Sequence, residues 1–312
     1  MQPVKPSALK KGDLIGLITP ASPVADPSRI ERAVRYLEQL GYRTAVGKHV
    51  GQTKGYLAGT DEERADDIHA MFADREIRAI MCLRGGYGTP RLLPLLNYRL
   101  IARNPKIFVG YSDITVLQLA FWKKCGLISF HGPMPAVDMA NGIDPFTEET
   151  FWRVLTSRKK LGVLPLDGGP LTALQPGKGS GRLLGGNLSL VVSILGTPYQ
   201  PDFRGCVLFI EEIEEEPYRV DRMMVQLGNA SIGQNSGGII LGQFTDCVPK
   251  DPTKPTLSID EIVAENASIW GRPFLANLPF GHVPKMMTIP VGLRARIDSG
   301  AKIVEFLESA VS

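Results

Sequence analysis

Four short segments carry residue types that could do chemistry. The first is Ile107–Asp113, IFVGYSD, where an apolar run enters a tight Gly-Tyr-Ser turn and a helical pattern follows. That order puts the Ser112 hydroxyl at the carboxyl end of a strand and the start of a helix, close to backbone N–H groups with no intrahelical partner. The arrangement resembles a nucleophile elbow, although the last position of G-x-S-x-G is Ile114 here. A serine that merely caps its helix gives the same pattern. The second segment is LRGGYG, residues 83–88. Its adjacent glycines let a backbone approach a ligand and offer N–H groups, either to an oxyanion or to an anion such as phosphate. It matches neither a P-loop nor a dinucleotide fingerprint. Arg84 beside it suits a carboxylate, which a guanidinium grips bidentately.

The third segment, VLFIEEIEEEPYRVDR over residues 207–222, crowds acidic residues behind an apolar strand. Most such runs are solvated faces. Glu211 and Glu212 end the strand and must face opposite sides of it, so only one can enter a given site. The residues by themselves do not choose. The fourth segment, LPFGHVPK over residues 278–285, holds His282 in a Gly- and Pro-flanked loop, with Lys285 as a second carboxylate candidate. His131, which ends the run ISFH, is its rival as a base. His49 and His69 sit in polar surroundings and read as exposed.

The elements that must position these groups follow from periodicity. Strands are expected at 13–19, 43–46, 79–83, 107–110 and 128–131. Helices alternate with them: one capped by Asp26 with Pro27 at its first position, one opened by the capping box Thr60–Glu63, one opened by Thr89-Pro90, and one over 114–123. This βαβα rhythm argues a parallel sheet covered on both faces. From 157 to 181 the pattern breaks into a Gly-, Pro- and Lys-rich stretch that reads as a linker or crossover. Beyond it, strands are expected at 206–211, 238–243, 274–278, 294–297 and 302–307, with helices over 218–227 and from the capping box Ser258–Glu261 to Trp270. The organisation is therefore residues 1–156, a crossover at 157–181, and residues 182–312.

Composition bounds the function. The chain has 312 residues with 35 basic and 32 acidic side chains, a net charge of +3, and no basic stripe, which argues against nucleic acid. Its 4 cysteines are scattered without a C-x-x-C pair, as expected of reduced, mostly buried thiols and not of a zinc site. No run is long enough to span a membrane, and the N-terminus lacks an apolar signal core, so a cytoplasmic location is expected.

Taken in order, RGGYG, GYSD, FHGPM, GGNL, EEIEEEPYRVDR and FGH resemble the LD-carboxypeptidase family of serine peptidases, and YLAGTDEERADDI is similar to a further block of it. The matching motifs run across nearly the whole chain. The resemblance implies a flavodoxin-like N-terminal domain and a smaller mixed α/β C-terminal domain, with the active site between them. It implies Ser112 as nucleophile, His282 as base and Glu211, not Glu212, as the third member of the triad. Backbone amides of Asp113 and of Gly86, or its neighbour Gly85, would form the oxyanion hole. It further implies a homodimer, no metal or organic cofactor, and a murein tetrapeptide substrate that loses its terminal D-Ala. Glu212 stands where many members have Asp, with no catalytic consequence expected. Two other readings are weighed against this one. A self-immunity hydrolase of the same family would cut an amide in an aminoacyl-nucleotide antibiotic; residues 162–180 contain no Trp, Phe or Tyr to stack a base, which disfavours it. A non-catalytic module would use RGGYG to bind a small anion.

Overall fold

The computed structural model describes residues 2–164 and 171–312. Five short apolar runs become the strands β1 (Leu14–Ile18), β2 (Arg43–Val46), β3 (Ile77–Cys82), β4 (Ile107–Gly110) and β5 (Ser129–His131). Neighbours among them pair in parallel, in the order 5-4-3-1-2. That is the flavodoxin-like order, with helices crossing over between strands. The helices are α1 (Ser28–Gln39), α2 (Asp61–Ala73), α3 (Tyr98–Arg103), α4 (Thr115–Cys125) and α5 (Pro145–Thr156).

Local chemistry sets most of these boundaries. Thr60 and Glu63 form the expected reciprocal capping box at the start of α2. The start of α1 is displaced by one residue: Pro27 is the N-cap, and Asp26 acts from outside by accepting hydrogen bonds from the Ser28 N–H and hydroxyl. Thr89-Pro90 opens only one 3-10 turn, Thr89–Leu92. Helices α3 and α5 were not anticipated; they are started by Asn97 and Asp144, whose side chains accept N–H bonds from the first turns.

The stretch read as a crossover holds β6 (Gly162–Val163), β7 (Thr172–Gln175) and the first part of β8 (Lys178–Asn187). Its glycines serve close backbone packing: a Cβ on Gly179 or Gly181 would lie 1.7 or 2.0 Å from a neighbouring carbonyl oxygen. Then come α6 (Leu188–Ser193), β9 (Val207–Ile213), α7 (Pro217–Asn229), the single turn α8 (Ile232–Asn235), β10 (Gly238–Thr245), α9 (Ile259–Trp270) and β11 (Phe274–Ala276). The chain ends with β12 (Ile289–Val291), β13 (Arg294–Asp298) and β14 (Ile303–Phe306). Among the described residues the second sheet runs 6-14-13-8-9-10-11-7, parallel through β8, β9, β10 and β11 and antiparallel at both margins.

Two features knit the halves together. Strand β12 returns to the first sheet and pairs antiparallel with β5, Ile289 opposite His131. Helix α4 is buried from Thr115 through Trp122, apolar nearly all round as a helix enclosed by protein must be, and it touches β5, β8, β12 and α6. Gly292 lets the chain lie flat on Trp122, since a Cβ there would come within 2.4 Å of the ring. The seam is thus core, not solvent. Among the described residues no helix is long and apolar enough to cross a membrane.

Candidate active site

Strand β4 ends at Gly110, where a Cβ would sit 2.8 Å from Ile114, so only glycine admits the turn that follows. Ser112 then adopts φ 62°, a left-handed conformation unusual for a residue with a side chain. The extended residue at the cap is Tyr111, so Ser112 lies one position inside the turn and its side chain makes no capping bond. Ser112 heads the one-turn 3-10 helix Ser112–Ile114, which leads into α4. The N–H of Asp113 therefore lies in the first turn, where no intrahelical acceptor exists.

The RGGYG loop is packed directly onto this turn. A Cβ on Gly85 would lie 3.0 Å from the Ser112 Cβ and 3.2 Å from its Oγ. Gly86, with φ 113°, has no room for a side chain either, because Ser22 Oγ would be 2.3 Å away. The loop is held from both sides. Ser22 Oγ accepts the Tyr87 N–H at 3.1 Å. The Asp113 carboxylate accepts the Thr89 N–H at 2.8 Å, and the Thr89 hydroxyl donates to the Asp113 carbonyl. Burial pushes the Asp113 carboxyl up to about 6 against the pull of Thr89, Arg64 and Gly88. Arg84 is half-buried, and its Nη1 donates to the Pro23 carbonyl at 3.0 Å.

On the other side, β9 delivers two buried carboxylates to opposite faces. Glu211 Oε2 accepts from His282 Nδ1 at 2.7 Å. Glu212 turns away, accepting from Asn187 Nδ2, from the Ser189 N–H and hydroxyl, and from the Ile213 N–H. The alternation read from the strand is realised, and the geometry assigns Glu211 to the histidine. Gly281 makes the contact possible: it has φ 109°, and a Cβ there would come within 2.9 Å of Glu211. Thr245 Oγ1 donates to the His282 carbonyl at 3.0 Å and anchors the loop.

The two sides meet behind the serine. Strands β8 and β9 align Asn187 with Glu211. The Asn187 N–H donates to Thr115 Oγ1 at 3.1 Å, and a Cβ on Gly186 would lie 2.5 Å from that same oxygen. The GGN segment thus seats the end of β8 against the start of α4. Tyr111 completes the junction, its ring 4.8 Å from the His282 ring and its hydroxyl 3.3 Å from Asp138 Oδ1. No hydrogen bond joins Ser112 Oγ to His282 among the described residues.

Beside the imidazole lies a cavity of about 380 Å³ lined by Tyr111, Val137, Asp138, Ile213, His282 and Val283. Burial alone would disfavour the charged imidazole, but the Glu211 hydrogen bond and charge, with Glu212 and Asp138 behind, outweigh it and raise the His282 pKa above 6.5. Burial also raises Asp138, to about 6, against the pull of the Met134 N–H, Tyr111, His282 and Arg29. Lys285 places its Nζ 5.2 Å from the centre of the Phe146 ring. His131 is fully buried and cannot meet a substrate. His49 and His69 are half-buried instead of exposed, the first bonded to Asp67 and the second accepting the Asn97 N–H. Cysteines 82, 206 and 247 are buried, Cys125 is partly so, and all are free thiols. Among the described residues no group of three His, Cys, Asp or Glu side chains could hold a metal ion.

Sequence reasoning missed Tyr111, Thr115, Asp138 and Asn187. The GGN segment was visible as a motif, but its partner Thr115 lies 72 residues away, and nothing local links them.

Comparison with known proteins places the chain in a family. Residues 15–132 match the LD-carboxypeptidase N-terminal domain and residues 180–297 the LD-carboxypeptidase C-terminal domain. The chain is similar to a probable murein peptide carboxypeptidase of Bacillus subtilis, 41% identical over 99% of this chain and 95% of that protein. It is similar in structure to a muramoyltetrapeptide carboxypeptidase from Oxalobacter formigenes, with a TM-score of 0.83, 31% identity, and 96% and 100% of the two chains covered. It also resembles the microcin C7 self-immunity protein of Escherichia coli, whose complex with glutamyl sulfamoyl guanosine superposes with a TM-score of 0.91 at 28% identity, covering 99% of this chain and 100% of that one.

Proposed function

Since the chain belongs to the LD-carboxypeptidase family and is a hydrolase of the serine peptidase kind, we propose that it removes the terminal D-Ala from murein tetrapeptide with Ser112, His282 and Glu211. The observation that carries this reading is the Glu211–His282 hydrogen bond of 2.7 Å beside the left-handed turn at Ser112. With Nδ1 engaged by Glu211, the other ring nitrogen is the one available to the serine.

His282 Nε2 takes the proton from Ser112 Oγ as it attacks the scissile carbonyl, the two drawing together when substrate is bound. Glu211 holds the tautomer and stabilises the imidazolium. The Asp113 and Gly86 N–H groups receive the oxyanion. His282 then protonates the departing amine of D-Ala, and water hydrolyses the acyl-enzyme by the same route in reverse. Arg84 and Lys285 are the candidates for the terminal carboxylate. Residues 1–156 supply the nucleophile and residues 182–312 the other two members, with the site at their seam. Action in the cytoplasm and a homodimer belong to the same proposal, the latter readable by sedimentation.

The deciding experiment incubates the purified protein with murein tetrapeptide and follows loss of one D-Ala by mass spectrometry. No loss with the native protein, or equal loss with Ser112→Ala, defeats the reading. The self-immunity protein's strong superposition favours a second reading, hydrolysis of an aminoacyl-nucleotide amide. Residues 162–180 offer no aromatic side chain for the base; residues 165–170 of that stretch lie outside those described. The same assay with an aminoacyl sulfamoyl nucleoside separates the two.

A further inference from the structure

His131, passed over as a base, lies close to the catalytic carboxylate. Its ring is fully buried, packed against Tyr111, Phe209 and Phe280 at centroid distances of 5.8, 5.5 and 6.3 Å. Neither of its nitrogens has a hydrogen-bond partner among the described residues. Glu211 is in the same condition on one side: Oε2 is bonded to His282, while Oε1 is buried and has no such partner. Polar atoms left this way in an apolar interior are costly, and native folds pair them. Glu211 is also the group whose charge acts most strongly on the His131 ring, followed by that of His282. Strand pairing fixes the ring from below, with His131 opposite Gly110 on β4 and Ile289 on β12.

We propose that His131 is a positioning residue that donates a ring N–H toward Glu211 Oε1 through one enclosed water, so that the carboxylate is held between two imidazoles. This rests on the catalytic reading above. A neutral imidazole always carries one N–H, and burial drives the His131 pKa down to about 4, the Glu211 charge opposing, so the ring is neutral wherever the enzyme works. A donor on Oε1 would stop the carboxylate from rotating about its stem. It would also draw off part of the charge that Glu211 presents to His282. The Glu211 carboxylate and the Tyr111 ring face His282, the charges of Glu212 on the far face of β9 and of Asp138 from the 135–139 turn reach it, and His131 and His282 act on each other's charge.

The test compares native protein, His131→Phe and His131→Gln. In His131→Phe the Glu211 charge is concentrated on His282. The His282 titration followed by NMR should therefore move to higher pH, and the acid limb of the rate profile with it. The rate constant should fall roughly tenfold to a hundredfold with KM unchanged, as when a group orienting a catalytic ligand is lost. His131→Gln, which keeps a donor, should restore most of both. A purely packing role would lower thermal stability and leave the titration in place, and an unmoved His282 midpoint in His131→Phe overturns the proposal. Should that variant not fold, ring-nitrogen spectra of native protein and Glu211→Gln decide: a His131 N–H signal indifferent to Glu211→Gln overturns it equally. The titration needs no substrate, so an enzyme that leaves murein tetrapeptide intact sinks the functional reading without touching this one.

Discussion

The serine side and the histidine side of the site are assembled in opposite ways. Ser112 is placed by its neighbours in sequence: an apolar strand, Gly110 with no room for a Cβ, a left-handed turn, then α4. Its second support, the RGGYG loop, comes from the adjacent strand of the same sheet. His282 sits on a Gly- and Pro-rich loop with no helix or strand of its own, and is held by Glu211, 71 residues earlier, and by Thr245, 37 earlier. A local turn tolerates change at a distance, whereas a loop held by distant side chains depends on each of them.

The sharpest way to break this contrast is to remove the groups proposed to react. Ser112→Ala and His282→Ala should each lower D-Ala release by roughly 10⁶-fold, since members of such a unit fail together. A steady-state assay checks this, and a double variant should be hardly worse than either single one. Glu211→Gln follows, with a loss of about 10⁴-fold, because an amide cannot hold the imidazole in the required tautomer. Its twin on the opposite face sharpens the comparison. Glu212→Gln should cost about 1–3 kcal/mol of stability through the Asn187 and Ser189 bonds, as denaturant midpoints would report. Activity per folded molecule should stay within about tenfold of native, because no catalytic group is touched.

Gly86→Ala probes the serine side. The side chain would strike Ser22 and demand a disfavoured φ, so the loop must shift. If the Gly86 N–H serves the oxyanion, the rate constant should drop by roughly 10²- to 10³-fold with little change in KM. A variant whose KM rises alone would place the loop in binding only.

The smallest effect is one of pH. As the proposed base His282 must be neutral, and its pKa is raised by Glu211, Glu212 and Asp138. Activity should therefore fall as pH drops through a midpoint above 6.5, the imidazole's ordinary value. Asp138→Asn removes one of the raising charges and should move that limb toward acid pH. A limb already below 6.5 in the native enzyme would contradict the electrostatics described.

Much of the site could be read without coordinates because its signals are local. The G-Y-S turn after an apolar run, the glycine pair at 85–86, the Thr60–Glu63 capping box and the period-two alternation at 211–212 each follow from a few adjacent residues. The choice of Glu211 over Glu212 came from resemblance alone, since both residues are buried and the alternation says only that they differ. Helix α3 was missed because it is only 6 residues long and follows an apolar run, and α5 because its start depends on the single cap Asp144. The strands within 162–187 were missed because Gly and Pro, which break local patterns, serve there to admit close backbone packing.

By itself the sequence determined the parallel first sheet, the candidate residues and the alternation of the two glutamates, all set by short-range sterics and hydrophobic period. Tertiary structure decided that β12 closes the first sheet, that Asn187 docks on Thr115, that His282 joins Glu211, and that His131 is sealed beneath them. Those contacts link residues tens to more than a hundred positions apart. No local propensity specifies them; they need both sheets brought together about α4, which touches β5 and β12 of one and β8 of the other.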